Sequence, residues 1–161
     1  AMLVYSSMHI ISRPGYELLI DQSIEKTKYF ANLIEKQDDF ELISKPELCL
    51  LTYRYVPTET KQALIKANPE QQKKLLRLLN ELTKYVQKKQ RENGRSFVSR
   101  TRLNPPQWQH RDTIVFRVVL ANPLTTTDIL KSVLNEQREI VKGSKSLINE
   151  ILKLSLQILD S

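Results

Sequence analysis

Cysteine, glycine and histidine are scarce in this sequence, and each scarcity removes a class of chemistry. Cys49 is the single cysteine. That excludes an internal disulfide and fits a reducing cytosol. With Leu48, Leu50 and Leu51 beside it, Cys49 reads as a small core residue. The three glycines, Gly15, Gly94 and Gly143, cannot build a glycine-rich phosphate loop, and each reads as punctuation between elements. The two histidines, His9 and His110, lie far apart in the chain. Neither has a serine, cysteine or metal-ligand partner at a recognisable spacing, so they supply no nucleophilic triad or metal centre and read as structural or exposed. No apolar run approaches the roughly 20 residues that cross a bilayer. The first residues, AMLVYSSMHII, lack the basic start and cleavage site of a signal peptide.

What is present is an ordinary globular composition, 40% hydrophobic and 27% charged over 161 residues, with a net charge of +7. That supports one domain with its own core, or one domain and an appendage. Much of the positive charge falls between residues 70 and 92, on Lys73, Lys74, Arg77, Lys84, Lys88 and Lys89. A solvated helix face, or a surface that meets an acidic partner, accounts for it better than a nucleic-acid site. The tripeptide His110-Arg111-Asp112 matches one in protein-kinase catalytic loops. The glycine loop and metal-binding motif that must accompany it are missing, so the match is chance.

Along the chain, residues 2–11 predict a short helix with Leu3, Val4, Met8 and Ile11 on one stripe. It starts without a cap, as in a chain cut from something longer. Arg13-Pro14-Gly15 breaks it, and a second helix runs to about Lys36, with Tyr16, Leu19, Ile20, Phe30, Ala31 and Ile34 on its apolar side. Strands are expected at 40–44 and 48–56, joined by a turn at Lys45-Pro46. One helical turn is expected near 61–66. Asn68-Pro69 caps a helix from 70 to about 92, which Asn93-Gly94 stops. FVSRTRL (97–103) alternates as a third strand. A loop at 104–112 carries Pro105, Pro106, Trp108 and His110. TIVFRVVL then forms the strongest strand, apolar on both faces. Thr125 and Asp128 have the spacing of a capping box before a helix at 126–142, and Gly143 separates it from an apolar helix at 146–159.

Strand pairs separated by helices predict an α+β domain. Its antiparallel sheet has about four strands, with helices on one face and the other face apolar enough to need a partner. Arg54, Arg100, Arg102 and Arg117 lie on these strands. Each either pairs within the domain or clamps an anion. Residue type favours pairing, and Arg117, between Val115 and Val119, is the best exception.

The stretches SRPGYELLIDQSIEKTKYFANLIEK (12–36), DFELISKPELCLLTYRYVP (39–57), SFVSRTRL (96–103) and TIVFRVVLANPLTTTDILKSVLNEQ (113–137) together resemble the C-terminal part of the group II pyridoxal-phosphate-dependent amino acid decarboxylases. Bacterial members acting on glutamate, aspartate or 2,4-diaminobutyrate are the most similar. The resemblance implies the aspartate-aminotransferase fold, with residues 1–37 as domain-linking helices and 38–161 as the small C-terminal domain. The cofactor would sit in a large domain absent from this chain, in a cytoplasmic homodimer. It further implies that Arg117 binds the α-carboxylate of an amino acid substrate, holding the scissile bond out of the plane of the cofactor ring. The family's cofactor lysine follows a histidine. Here His9 precedes Ile10 and His110 precedes Arg111. The chain by itself is therefore expected to hold no pyridoxal phosphate and to be inactive. The alternative is a free-standing basic α+β module that binds RNA or a protein. Tyr53, Tyr55 and Phe116 lack basic neighbours on their strand faces, which counts against RNA.

Overall fold

The computed structural model describes residues 2–160, the side chain of Leu3 excepted. Helix α1 (Met2–Glu35) leads into β1 (Phe40–Glu47) and β2 (Leu50–Tyr55). Helices α2 (Thr58–Lys66) and α3 (Pro69–Asn93) follow, then β3 (Ser99–Leu103) and β4 (Thr113–Val119). Helices α4 (Thr127–Gly143) and α5 (Lys145–Leu159) close the chain. The strands form one antiparallel sheet in the order β1-β2-β4-β3. Helices α1 and α3 pack on one face of it, and α2 and α5 pack together behind them. This is the expected α+β architecture.

Several boundaries differ from the sequence reading. The Arg13-Pro14-Gly15 break is a bend within α1: Ser12 alone leaves helical backbone, at φ 60° and ψ 169°. Gly15 permits it, because a Cβ there would stand 2.8 Å from Ile11 Cγ2. Before the bend Val4, Met8 and Ile11 are exposed, and the Leu3 side chain lies outside the described residues. After it Ser23, Thr27, Phe30, Ala31 and Ile34 are buried. Lys45-Pro46 is no turn. Strand β1 passes through both, and the reversal comes at Leu48-Cys49, with Leu48 at φ 53°. Proline is tolerated there because β1 is an edge strand. Cys49 is consequently half-buried in the turn, outside the core. Helix α2 is longer than the single turn expected. The cap of α4 is Thr126, whose Oγ1 accepts from Ile129 N at 3.3 Å, and not Thr125. The reason is a turn at Asn122, whose Oδ1 accepts from Leu124 N and whose carbonyl accepts from Thr125 N.

Where capping chemistry is unambiguous the chain obeys it. Asn68 Oδ1 accepts from Glu70 N and Gln71 N, while Gln71 Oε1 accepts from Asn68 N. Gly94 ends α3 in the left-handed conformation at φ 70°.

The inner sheet face is aromatic, and its centre is Tyr53. Its ring lies 5.5 Å from Phe30 of α1, 5.9 Å from Phe40 of β1 and 5.3 Å from Phe116 of β4. Its buried hydroxyl starts a relay. Tyr53 donates to Gln137 Oε1 at 3.2 Å, Gln137 Nε2 to Gln90 Oε1 at 3.3 Å, and Gln90 Nε2 to Ser96 Oγ at 2.7 Å. Ser96 in turn donates to Glu136 Oε2. Burial is the leading cause that pushes the Tyr53 hydroxyl well above its ordinary value of 10.0.

At the start of β4, strand β2 no longer pairs with it. Asn80 of α3 takes the missing strand's place: its Nδ2 donates to Asp112 O at 2.8 Å and its Oδ1 accepts from Ile114 N at 2.7 Å.

Replacing Asn80 with leucine strands two backbone groups. It should cost about 1–3 kcal/mol in urea unfolding and speed amide exchange at Ile114. The Tyr53 shift makes an alkaline prediction. An unfolded tyrosine loses its proton near pH 10 while the folded one keeps it, so the folded state binds more protons above that pH. The stabilisation is complete below about pH 10 and is lost as pH rises further. A melting series above that pH should slope downward in the wild type and less steeply in Tyr53→Phe.

Candidate functional site

The outer sheet face decides the fate of the arginines. Residues 104–110, between β3 and β4, do not turn back directly. They cross the outer face from one sheet edge to the other, where Gln107 Nε2 donates to Ile43 O at 3.2 Å and Trp108 Nε1 to Glu41 Oε1 at 3.1 Å. Gln109 and His110 allow the return, both in left-handed backbone at φ 54° and 56°. This strap covers the half of the face that holds Arg54, Thr113 and Val115, all buried. The expectation of a wholly uncovered face is therefore corrected to a half-covered one.

Under the strap, Arg54 is 0% exposed. Its Nε donates to Glu41 Oε2 at 2.7 Å, and its guanidinium lies 5.2 Å from the Trp108 ring centroid. Its Nη1 and Nη2 make no hydrogen bond among the described residues. Burial pushes its protonation constant down, and Glu41 opposes that. Arg54 is thus a structural arginine. Arg102 pairs with Asp112 at 3.1 Å. Arg100 is exposed on the helix side of the sheet.

Like Arg100, Arg117 is left without an ion pair among the described residues. It lies beyond the strap, exposed. Its strand neighbours are small: Thr52 stands opposite on β2 and Ser99 opposite on β3. Thr52 is occupied by Ser44 at 2.7 Å, and Ser99 Oγ by the Arg117 carbonyl at 2.8 Å. Nothing here neutralises the guanidinium. Arg117 is one of the residues lining a cleft of about 580 Å³ that continues past Arg95, Ser96, Val119, Thr125 and Val133. Two of its apolar residues are open to solvent: Phe97 is 66% exposed and Val119 50%. A free arginine in a cleft with exposed apolar side chains suits a carboxylate or phosphate once a second surface closes over it.

The other candidates do not join this site. His9 is exposed on α1, edge-on to Tyr5 at 4.5 Å. His110 is exposed on the strap, with Nδ1 3.1 Å from Asn104 O. Among the described residues no group of His, Cys, Asp and Glu could hold a metal ion. Sequence reasoning missed Arg138 of α4. It grips Asp39 through Nε at 2.6 Å and Nη2 at 2.7 Å and sits 5.1 Å from the Phe40 ring, tying α4 to the entry of β1. The hydrogen bond to Asp39 is the leading cause that raises the Arg138 protonation constant. The lone Trp108, preceded by Pro105 and Pro106, was the available signal for the cover over Arg54.

No protein-family model matches the chain. It is 64% identical over 155 residues to an aspartate 1-decarboxylase of Aliivibrio fischeri, an alignment that covers 94% of this chain and 28% of that protein. The glutamate decarboxylase domain of a Vibrio parahaemolyticus diaminobutyrate-pyruvate transaminase and L-2,4-diaminobutyrate decarboxylase superposes with a TM-score of 0.66 at 18% identity, over 87% of this chain and 25% of that one. Oryza sativa TDC, solved with PLP and tryptamine, superposes with a TM-score of 0.63 at 14% identity, over 87% of this chain and 26% of that one. The fold resembles the small domain of pyridoxal-phosphate-dependent decarboxylases. The chain spans about a quarter of the length of the proteins it matches.

The two arginines should separate in stability measurements. Glu41→Gln leaves Arg54 buried without its carboxylate and should cost about 3 kcal/mol in urea unfolding. Arg117→Ala should change stability by no more than about 0.5 kcal/mol.

Proposed function

We propose that this chain is the C-terminal small domain of a pyridoxal-phosphate-dependent amino acid decarboxylase that removes the C1 carboxylate of aspartate. The observation that supports this best is the exposed, unpaired Arg117 among the residues lining an open cleft, in a fold that resembles decarboxylase small domains. The substrate follows from the 64% identity to an aspartate 1-decarboxylase. In this reading residues 1–37 link the small domain, 38–161, to a large domain. The exposed apolar side chains of α1, among them Val4, Met8 and Ile10, become buried against that domain or a second subunit. The assembly is a cytoplasmic homodimer. Among the described residues no helix is long and apolar enough to cross a membrane.

The residues of this chain do not fit the cofactor. No lysine lines the Arg117 cleft, and neither histidine is followed by one. The cofactor belongs to the remainder of the longer protein, and the share of this chain is to bind and orient. Arg117 takes the substrate α-carboxylate through paired N–H donors, a geometry that fixes the rotation of the C1 bond as well as its position. The cleft, once covered, excludes water and strengthens that ion pair.

In the full-length protein, Arg117→Ala should lower kcat/KM for aspartate by about thirtyfold or more, on the order of the 2 kcal/mol of a charged hydrogen bond. Wild-type kinetics in that variant would remove Arg117 from the site. Release of carbon dioxide from aspartate by the 161-residue chain alone, with pyridoxal phosphate added, would overturn the division of labour.

A further inference from the structure

The positive charge of the molecule is not spread evenly. Two adjoining hollows run along the exposed side of α3. One is lined by Lys73, Arg77 and Arg111, the other by Lys84, Lys88, Arg91 and Arg100 of β3. Cations outnumber the carboxylates that line them, Glu70, Glu81 and Asp112. Two of those carboxylates are already engaged, Glu81 with Lys84 at 2.8 Å and Asp112 with Arg102 at 3.1 Å. Among the described residues Lys73, Arg77, Arg91 and Arg100 make no ion pair. From Lys73 to Arg91 the groove runs about 27 Å at 1.5 Å per helical residue.

The floor of the groove ends at a free sheet edge. Strand β3 pairs with β4 alone among the described strands, so its outer row of backbone donors and acceptors is unclaimed. Arg100 and Arg102 project from β3 toward the α3 side, opposite Phe116 and Ile114 of the inner face. We infer that this groove docks an extended acidic polypeptide segment, which adds to β3 as a further antiparallel or parallel strand. Alternate side chains of such a strand point to one face, so carboxylates at every second residue would meet Arg100, Lys88 and Arg91 together. A length of about eight residues fills the groove at 3.3 Å per residue. Nucleic acid is the poorer occupant. Among the described residues Tyr85 is the one aromatic side chain lining either hollow, too little for a base-stacking platform. The inference uses neither Arg117 nor the decarboxylase reading.

The test is fluorescence anisotropy of a labelled octapeptide alternating glutamate and threonine, titrated with the 161-residue chain. Binding should be about tenfold tighter at about 20 mM salt than at about 200 mM. The double variant Arg91→Glu/Arg100→Glu should weaken it about tenfold or more, against about twofold for the control Lys153→Glu on α5, with the expected ratio set by groove charge and not net charge. Amide exchange across Ser99–Leu103 should slow in the complex. Absence of binding at low salt would overturn the inference. So would equal weakening by Lys153→Glu, unchanged exchange along β3, or tighter binding of a single-stranded oligonucleotide to the same cations.

Discussion

Tyr53 imposes the constraint on which the rest of this domain is arranged. Its ring touches Phe30, Phe40 and Phe116, so one side chain joins α1, β1 and β4 to the strand that carries it. An aromatic core of that kind is favourable on area alone. The hydroxyl at its centre is not, because a buried O–H without a partner costs more than its ring contact adds. Gln137 satisfies it, Gln90 satisfies Gln137, and the requirement passes outward through Ser96 to Glu136. Helices α3 and α4 are thereby held to the sheet by direction as well as by burial. Moving either one breaks a buried hydrogen bond, so the relay specifies a unique packing where apolar contact alone would tolerate several.

That relay also reaches the candidate site. Ser96 both accepts from Gln90 and lines the cleft beside Arg117. The wall of the cleft is therefore set from inside the core. On the opposite side of the sheet the strap fixes the other boundary, covering Arg54 and stopping short of Arg117. Two arginines on the same face of neighbouring strands end in opposite states. Arg54 is desolvated, paired and stacked, and it holds the strap down. Arg117 is hydrated and uncommitted, the condition a ligand-binding cation requires before its ligand arrives.

The surfaces left unfinished follow the same division. Phe97 and Val119 at the cleft and the side chains of Val4, Met8 and Ile10 on α1 are apolar and exposed, which suits permanent burial against another body. The α3 groove is cationic and hydrated, which suits reversible, salt-sensitive contact. Among the described side chains of α1, burial begins only at Ser23, well past the bend at Ser12.

Local chemistry was legible in the residues. The Asn68-Pro69 cap, the Gly94 stop and the doubly apolar Thr113–Val119 strand each depend on neighbours a few positions away, and each appears where the chain implies it. The α+β order and the single sheet followed from that alternation, Arg117 stood out by its place between Val115 and Val119, and the resemblance added a carboxylate-binding role for it. What the linear pattern could not contain was the contact between residues far apart in the chain. Arg54 and Arg117 are the same residue type on equally apolar strands, and only the path of a strap ending on Glu41 determines which is buried. Asn80 reads as an ordinary helical polar residue until β2 and β4 part and leave it two backbone groups to satisfy. The Lys45-Pro46 turn failed for the same reason: proline forbids a central strand but not an edge, and edge position is a property of the assembled sheet. Periodicity and capping determined the elements of this protein. Which charges were buried and which were left for a partner was decided by tertiary structure, because desolvation depends on what finally covers a group and not on what precedes it in the chain.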